Sequence, residues 1–171
     1  MSIVLLPHDP AWVGAFAAEA RLIESVFADN VCAVQHIGST TIPTVVAKPV
    51  IDILVVVRDL ELVDRGAQTM GQFGYQIMGE FGIPGRRYFR KDNSAGIRTH
   101  HVHAYAVGNS EIQRHLNFRD YLLAHPQWAA EYSQLKLRLV EENPRLGKNY
   151  QEGKTEFIQH IEKLAAAWRR E

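Results

Sequence analysis

The sequence predicts an α/β (α+β) fold, a mixed β-sheet with helices packed mainly on one face, and three observations predict it. Near the N-terminus, apolar side chains recur at helical spacing. In the middle, Val50-Ile51-Asp52-Ile53-Leu54-Val55-Val56-Val57 is an almost continuous apolar run of strand length, the pattern of a strand buried on both faces. After Gly108 the spacing turns helical to the end of the chain. At 171 residues the chain reads as one domain, 1–171, long enough to close a core without staples.

Asp9 and Pro10 make a good cap and first-turn pair, and Trp12, Phe16, Glu19, Ile23 and Phe27 follow at helical spacing. Val31 to Ile37 reads as a strand, and with Val50 to Val57 it forms the centre of the sheet. Asp59 is placed to cap a helix from Leu60 to about Phe73, closed by Gly74. Tyr75 to Phe81 reads as a strand before the Gly82-Ile83-Pro84-Gly85 turn. Arg86 to Lys91 and Thr99 to Val107 read as a hairpin pair, in which Gly82 and Gly85 would allow flap-like movement. Helices are predicted at Ser110 to Ala124, Pro126 to Glu142, and Tyr150 to the C-terminus, with Leu135, Leu139, Phe157, Ile161, Leu164 and Trp168 covering the sheet.

Composition narrows the function classes. Nineteen basic residues balance nineteen acidic ones, so no global field draws the chain to nucleic acid or anionic lipid. A nucleic-acid partner would have to rest on a local patch. The single cysteine, Cys32, lies between apolar residues and is expected to be a buried thiol packing as a small hydrophobe. The apolar run at the N-terminus has no basic stretch before it and is too short for a signal peptide or a membrane span. A cytoplasmic protein without a membrane partner is the expectation, and no pattern specifies an oligomer.

Asp52 is the first place to look for chemistry, because an ionised carboxylate in an apolar strand must be paired, hydrogen-bonded or bound to a metal. Upstream stands His36-Ile37-Gly38-Ser39-Thr40. A small-residue turn lets phosphate approach backbone N–H groups, and Ser39 and Thr40 add hydroxyl donors. His36 itself reads as a core histidine bonded to backbone.

Taken with Ala47-Lys48-Pro49-Val50-Ile51-Asp52-Ile53, the segment Gln35-His36-Ile37-Gly38-Ser39-Thr40 resembles the GrpB family of the nucleotidyltransferase superfamily. Further matches are Arg98-Thr99-His100-His101-Val102-His103, His115 to Leu122, Ala124-His125-Pro126, and Tyr150 through Lys154 to Phe157-Ile158. The resemblance covers essentially the whole chain. It implies the order of the sheet, a small-molecule nucleotide partner, and transfer of a nucleotidyl group from a nucleoside triphosphate to an acceptor with a divalent metal (Mg, Mn or Zn). In that pattern Asp52 is the catalytic, metal-holding carboxylate. A second carboxylate belongs two residues later, where this chain has Leu54. An enzyme of this type would then bring another acidic group, such as Glu80 or Asp92, within reach of Asp52.

Histidines offer a replacement. Strand alternation puts His101 and His103 on one face and His100 on the other. With Asp52, the pair forms a two-histidine, one-carboxylate set suited to Zn²⁺, Mn²⁺ or Fe²⁺ more than Mg²⁺; the other reading is a pair of hydrogen-bonded strand histidines, one orienting Asp52. Among basic residues, Lys48, Arg86 and Arg98 are the candidates for phosphate. Lys154 either reaches a triphosphate or pairs with a core carboxylate. Arg119 and Asp120, adjacent on a helix, are expected to diverge toward other elements. No P-loop, Gly-x-Gly-x-x-Gly or Gly-x-Ser-x-Gly pattern is present, which removes P-loop kinases, dinucleotide enzymes and serine hydrolases. Two further readings remain: a metal-dependent phosphohydrolase, and a non-catalytic nucleotide- or metal-binding module favoured by Leu54.

Overall fold

The structure, a computed structural model, describes residues 3–142 and 148–169. Its contacts group into two compact units: Pro10–Ile37 with Val50–Gln113, and Met1–Asp9 with Gly38–Pro49 and Arg114–Glu171. Neither unit is continuous in sequence.

The first unit is a sheet with two helices. Strands β1 (Val31–Ile37), β2 (Ile51–Val57), β3 (Tyr75–Gly79), β4 (Arg86–Asp92) and β5 (Arg98–Ala106) lie in the order β1-β2-β5-β4-β3. Only the β2–β5 pair is parallel. The mixed α/β fold therefore stands. Helices α1 (Ala11–Phe27) and α2 (Leu60–Gln72) meet one face of the sheet. Phe27 of α1 packs on Phe89 of β4, and a Cβ at Gly66 of α2 would run into the Phe27 ring. On the same side, Arg87 of β4 holds Asp64 of α2 through two hydrogen bonds of 2.5 and 2.9 Å, while Glu19 of α1 accepts from Tyr75 and Lys91. Alternation then assigns Asp52, Leu54, Tyr88, His101 and His103 to the opposite face.

Local chemistry explains most boundaries. Pro10 already has helical dihedrals, φ −56° and ψ −24°, and Asp59 Oδ1 accepts from Glu61 N at 2.8 Å to start α2. Strand β3 ends two residues before the expected Phe81, because Gly79 turns the chain at φ +61° and Glu80 Oε1 accepts from Gly85 N at 2.7 Å. Cys32 is exposed rather than buried. It lies on β1, an edge strand, so apolar sequence neighbours did not imply burial of the thiol.

The second unit is helical: part of α3 (Ser110–Ala124), α4 (Pro126–Glu142), α5 (Lys148–Gly153) and α6 (Thr155–Trp168), with a bridge joining Leu6 to Ala47. Its core has two clusters. Tyr121, Leu122, Ala129, Tyr132 and Ile161 pack with Phe157, Leu164 and Trp168; Ile3, Leu139 and Tyr150 pack with Leu135. The apolar residues assigned to covering the sheet thus build a core among the helices themselves. The single C-terminal helix expected from Tyr150 is broken at Lys154, and its last two positions lie outside the described residues. Gly153 accounts for the break: glycine is a poor helix former, and any Cβ there would overlap Leu139 of α4. Arg119 does not diverge from Asp120 but donates to it at 2.8 Å, and Asp120 also accepts from Arg169.

Candidate functional site

In the sheet unit, register brings Asp52 of β2 beside His101 of β5, and Leu54 beside His103. All three polar side chains share the face away from α1 and α2. His101 Nδ1 lies 3.0 Å and His103 Nε2 3.9 Å from Asp52 Oδ1. Burial alone would raise the Asp52 pKa, but hydrogen bonds from His101 and His103, and their charge, hold the carboxyl well below its ordinary range. Asp52 is therefore a carboxylate at neutral pH.

This set fits a divalent transition metal in donor type and in spacing. One ligand atom from each of the three side chains lies within 4.8 Å of the others, and ligands on a tetrahedral zinc stand about 3.3 Å apart. No second carboxylate joins them among the described residues. Glu80 is engaged at the β3–β4 turn, and Asp92 pairs with Arg98 and Gln76. Leu54 is fully buried.

Two residues of β4 complete the cluster. Tyr88, the register partner of His103, stacks on that ring at 5.3 Å and meets His101 edge-on at 5.7 Å. Burial pushes the Tyr88 hydroxyl pKa up, so it stays protonated at neutral pH. Arg86 lies over Tyr88 at 4.8 Å and reaches His103 Nδ1 at 3.4 Å. Of the arginines predicted for phosphate, Arg86 thus joins the cluster at His103, and Arg98, which holds Asp92, also reaches the Tyr88 hydroxyl with a hydrogen bond and its charge. Sequence reasoning missed Tyr88, although it stands two residues from Arg86 and so on its face.

The helical unit gathers the other predicted groups. Gly38, at φ +74°, occupies a conformation that favours glycine and opens a single turn of 3₁₀ helix, Ser39–Thr41. Lys136 of α4, 3% exposed, donates to Ser39 Oγ at 2.6 Å and to Val46 O at 2.8 Å. Ser133, three residues earlier, accepts from Val46 N and donates to Thr44 O. The segment after Gly38 is in this way tied to α4. Thr40 is buried. Lys48 and Lys154 lie over the Tyr150 ring at 5.5 and 4.5 Å, and burial pushes the Tyr150 hydroxyl up to about 12. Lys136 carries no signal in the sequence, where it reads as one of several cations on an amphipathic helix. His36 stacks on Phe16 at 4.9 Å.

Comparison with known proteins gives this geometry a context. The GrpB protein family model matches residues 2–164. The chain belongs to the GrpB family. It is 43% identical to the UPF0157 protein YqkA of Bacillus subtilis over 98% of its own length, spanning 48% of that protein. It is 33% identical to the glutamate-rich protein GrpB of Alkalihalophilus pseudofirmus, with 93% of each chain covered. The crystal structure of the conserved protein GrpB from Enterococcus faecalis superposes with a TM-score of 0.93 at 43% identity, covering 98% of this chain and all of that one. A terminal uridylyl transferase 4 from Trypanosoma brucei, solved with bound dUTP, gives a TM-score of 0.56 at 11% identity over 90% of this chain and 53% of its own. That likeness shows a nucleotidyltransferase-type fold in this GrpB chain.

Proposed function

We propose that this GrpB-family protein is a metal-dependent nucleotidyltransferase, moving a nucleotidyl group from a nucleoside triphosphate to an acceptor. The observation that supports it most is the convergence of Asp52, His101 and His103 on one sheet face. In this reading Asp52 is the catalytic carboxylate and holds a divalent metal with the two imidazoles. A bound metal would polarise the phosphoryl group under attack and neutralise charge that develops there. Arg86, fixed against Tyr88 and His103, supplies a further positive charge toward phosphate oxygens, and Arg98 is assigned a similar part. Gly38, Ser39, Thr40, Lys48 and Lys154 are the polyphosphate-binding groups of the helical unit, with Lys136 holding Ser39 in place. A cytoplasmic location, where nucleoside triphosphates are abundant, belongs to the same reading. No helix among the described residues is long and apolar enough to cross a membrane.

Leu54 supports a second reading. With no carboxylate two residues after Asp52, a phosphohydrolase or a non-catalytic nucleotide- or metal-binding module accommodates the same residues. One experiment separates them. Protein purified without chelator or added metal is analysed for bound metal, screened with nucleotides by thermal shift, and incubated with nucleoside triphosphate and Mg²⁺, Mn²⁺ or Zn²⁺. Pyrophosphate release that Asp52→Asn abolishes supports the transferase. Orthophosphate release alone supports the hydrolase, and stabilisation without either product supports the binding module.

A further inference from the structure

The contact between Arg86 and His103 decides where the protons of the cluster lie. A guanidinium only donates, so His103 Nδ1, 3.4 Å from Arg86 Nη1, is the acceptor. The proton of the neutral ring then sits on Nε2, the atom facing Asp52. His101 offers its Nδ1 to the same oxygen, so the carboxylate faces two imidazole N–H groups. Arg86 is not free to turn aside: it is 7% exposed, its Nε donates to Glu80 O at 3.2 Å, and its Nη2 donates to Phe81 O at 2.9 Å. A metal bound through His103 Nε2 needs the lone pair there and the proton on Nδ1, which would point one N–H donor at another. It would also bring a second cation toward a fixed guanidinium.

We propose that Arg86 is a positioning residue that holds His103 as its Nε2–H tautomer and so makes metal loading of the Asp52 cluster depend on an accompanying phosphate. The inference rests on the metal-binding reading above and adds a condition to it. A phosphate oxygen that takes over the Arg86 Nη1 hydrogen bond removes the acceptor demand from His103 Nδ1. The ring then exchanges its proton with water from Nε2 to Nδ1, with none gained or lost, and Nε2 can bind the ion. Metal and phosphate therefore bind with positive coupling, and Arg86 is the residue through which they couple.

Two measurements test this. In long-range ¹H–¹⁵N spectra of histidine-labelled protein, His103 should read as the Nε2–H tautomer, and the two tautomers should mix in Arg86→Gln. By calorimetry, wild-type protein should bind Mn²⁺ at least about tenfold more tightly with saturating inorganic pyrophosphate than without. Arg86→Gln should bind Mn²⁺ alone about tenfold more tightly than wild type and gain little from pyrophosphate. Arg86→Met keeps the apolar stem and removes the charge and every donor; it should likewise mix the tautomers and raise affinity for Mn²⁺ alone, and it serves if the Gln variant fails to fold. An Nδ1–H tautomer in wild type overturns the positioning role, as does Mn²⁺ affinity indifferent to pyrophosphate. Absence of Mn²⁺ binding in every protein, with or without pyrophosphate, overturns the metal-binding reading and the coupling with it, while the tautomer spectrum still decides what Arg86 does to His103.

Discussion

Replacing Lys136 by Met should loosen the turn after Gly38 more than any other single change in the helical unit. The apolar length of the side chain is retained, whereas the ammonium that bonds Ser39 Oγ and Val46 O and lies over the Tyr132 ring at 4.2 Å is lost. Two hydrogen bonds from a charged donor are worth about 1.5–3 kcal/mol each. Against this, the variant no longer strips water from an ammonium that is 3% exposed, a cost of several kcal/mol. The two orphaned oxygens tip the balance, for a net loss of about 1–3 kcal/mol. In a chain of this length that lowers the melting temperature by about 2–12 °C. Thermal melts give the stability, and thermal shift with Mg²⁺ and nucleoside triphosphate gives the function, since a displaced Ser39 should also abolish stabilisation by nucleotide. A variant that melts with wild type and keeps its nucleotide response would refute the assignment of Lys136 as the anchor of the turn.

Other perturbations probe the sheet and the chain as a whole. Asp52→Asn should fold normally yet lose metal and nucleotide binding, measured by calorimetry; unfolding of the variant would mark Asp52 as a structural partner of the histidines. Asp52 has a lowered pKa in the fold, so its stabilising contribution is fully present above its ordinary value of 3.8 and disappears as pH falls toward the lower folded value. Urea midpoints between about pH 2 and 5 should therefore fall more steeply in wild type than in Asp52→Asn. Leu54→Asp would place a second carboxylate on the Asp52 face but at a fully buried position. It should cost at least about 3 kcal/mol in urea unfolding, and a folded variant with no gain in Mg²⁺ affinity would argue against a degenerate two-carboxylate site. Because both compact units are assembled from separated stretches of chain, we propose that residues 1–171 unfold as one domain, and calorimetry should show a single transition rather than two.

The parts of this fold that sequence discloses are those governed by neighbours along the chain. Strand β2 announces itself by apolar continuity, α2 by the Asp59 cap, and the shared face of His101 and His103 by alternation within one strand, while the parallel register of β2 with β5 is what brings Asp52 beside them. What stays hidden depends on partners distant in sequence. Cys32 has apolar neighbours on its own strand, but exposure is set by its place at the sheet edge. Lys136 is one cation on a helix until Ser39 and Val46, some ninety residues upstream, are known to meet it. Arg86 shows the same limit from the other side: its charge was legible and suggested phosphate, but only the carbonyls of Glu80 and Phe81 reveal that it is fixed, and only the nitrogen of His103 reveals what it is fixed against. A cation free to move would simply meet an incoming anion, whereas a pinned one also dictates the protonation of its neighbour. The chemistry of this face follows from that constraint as much as from the identities of Asp52, His101 and His103.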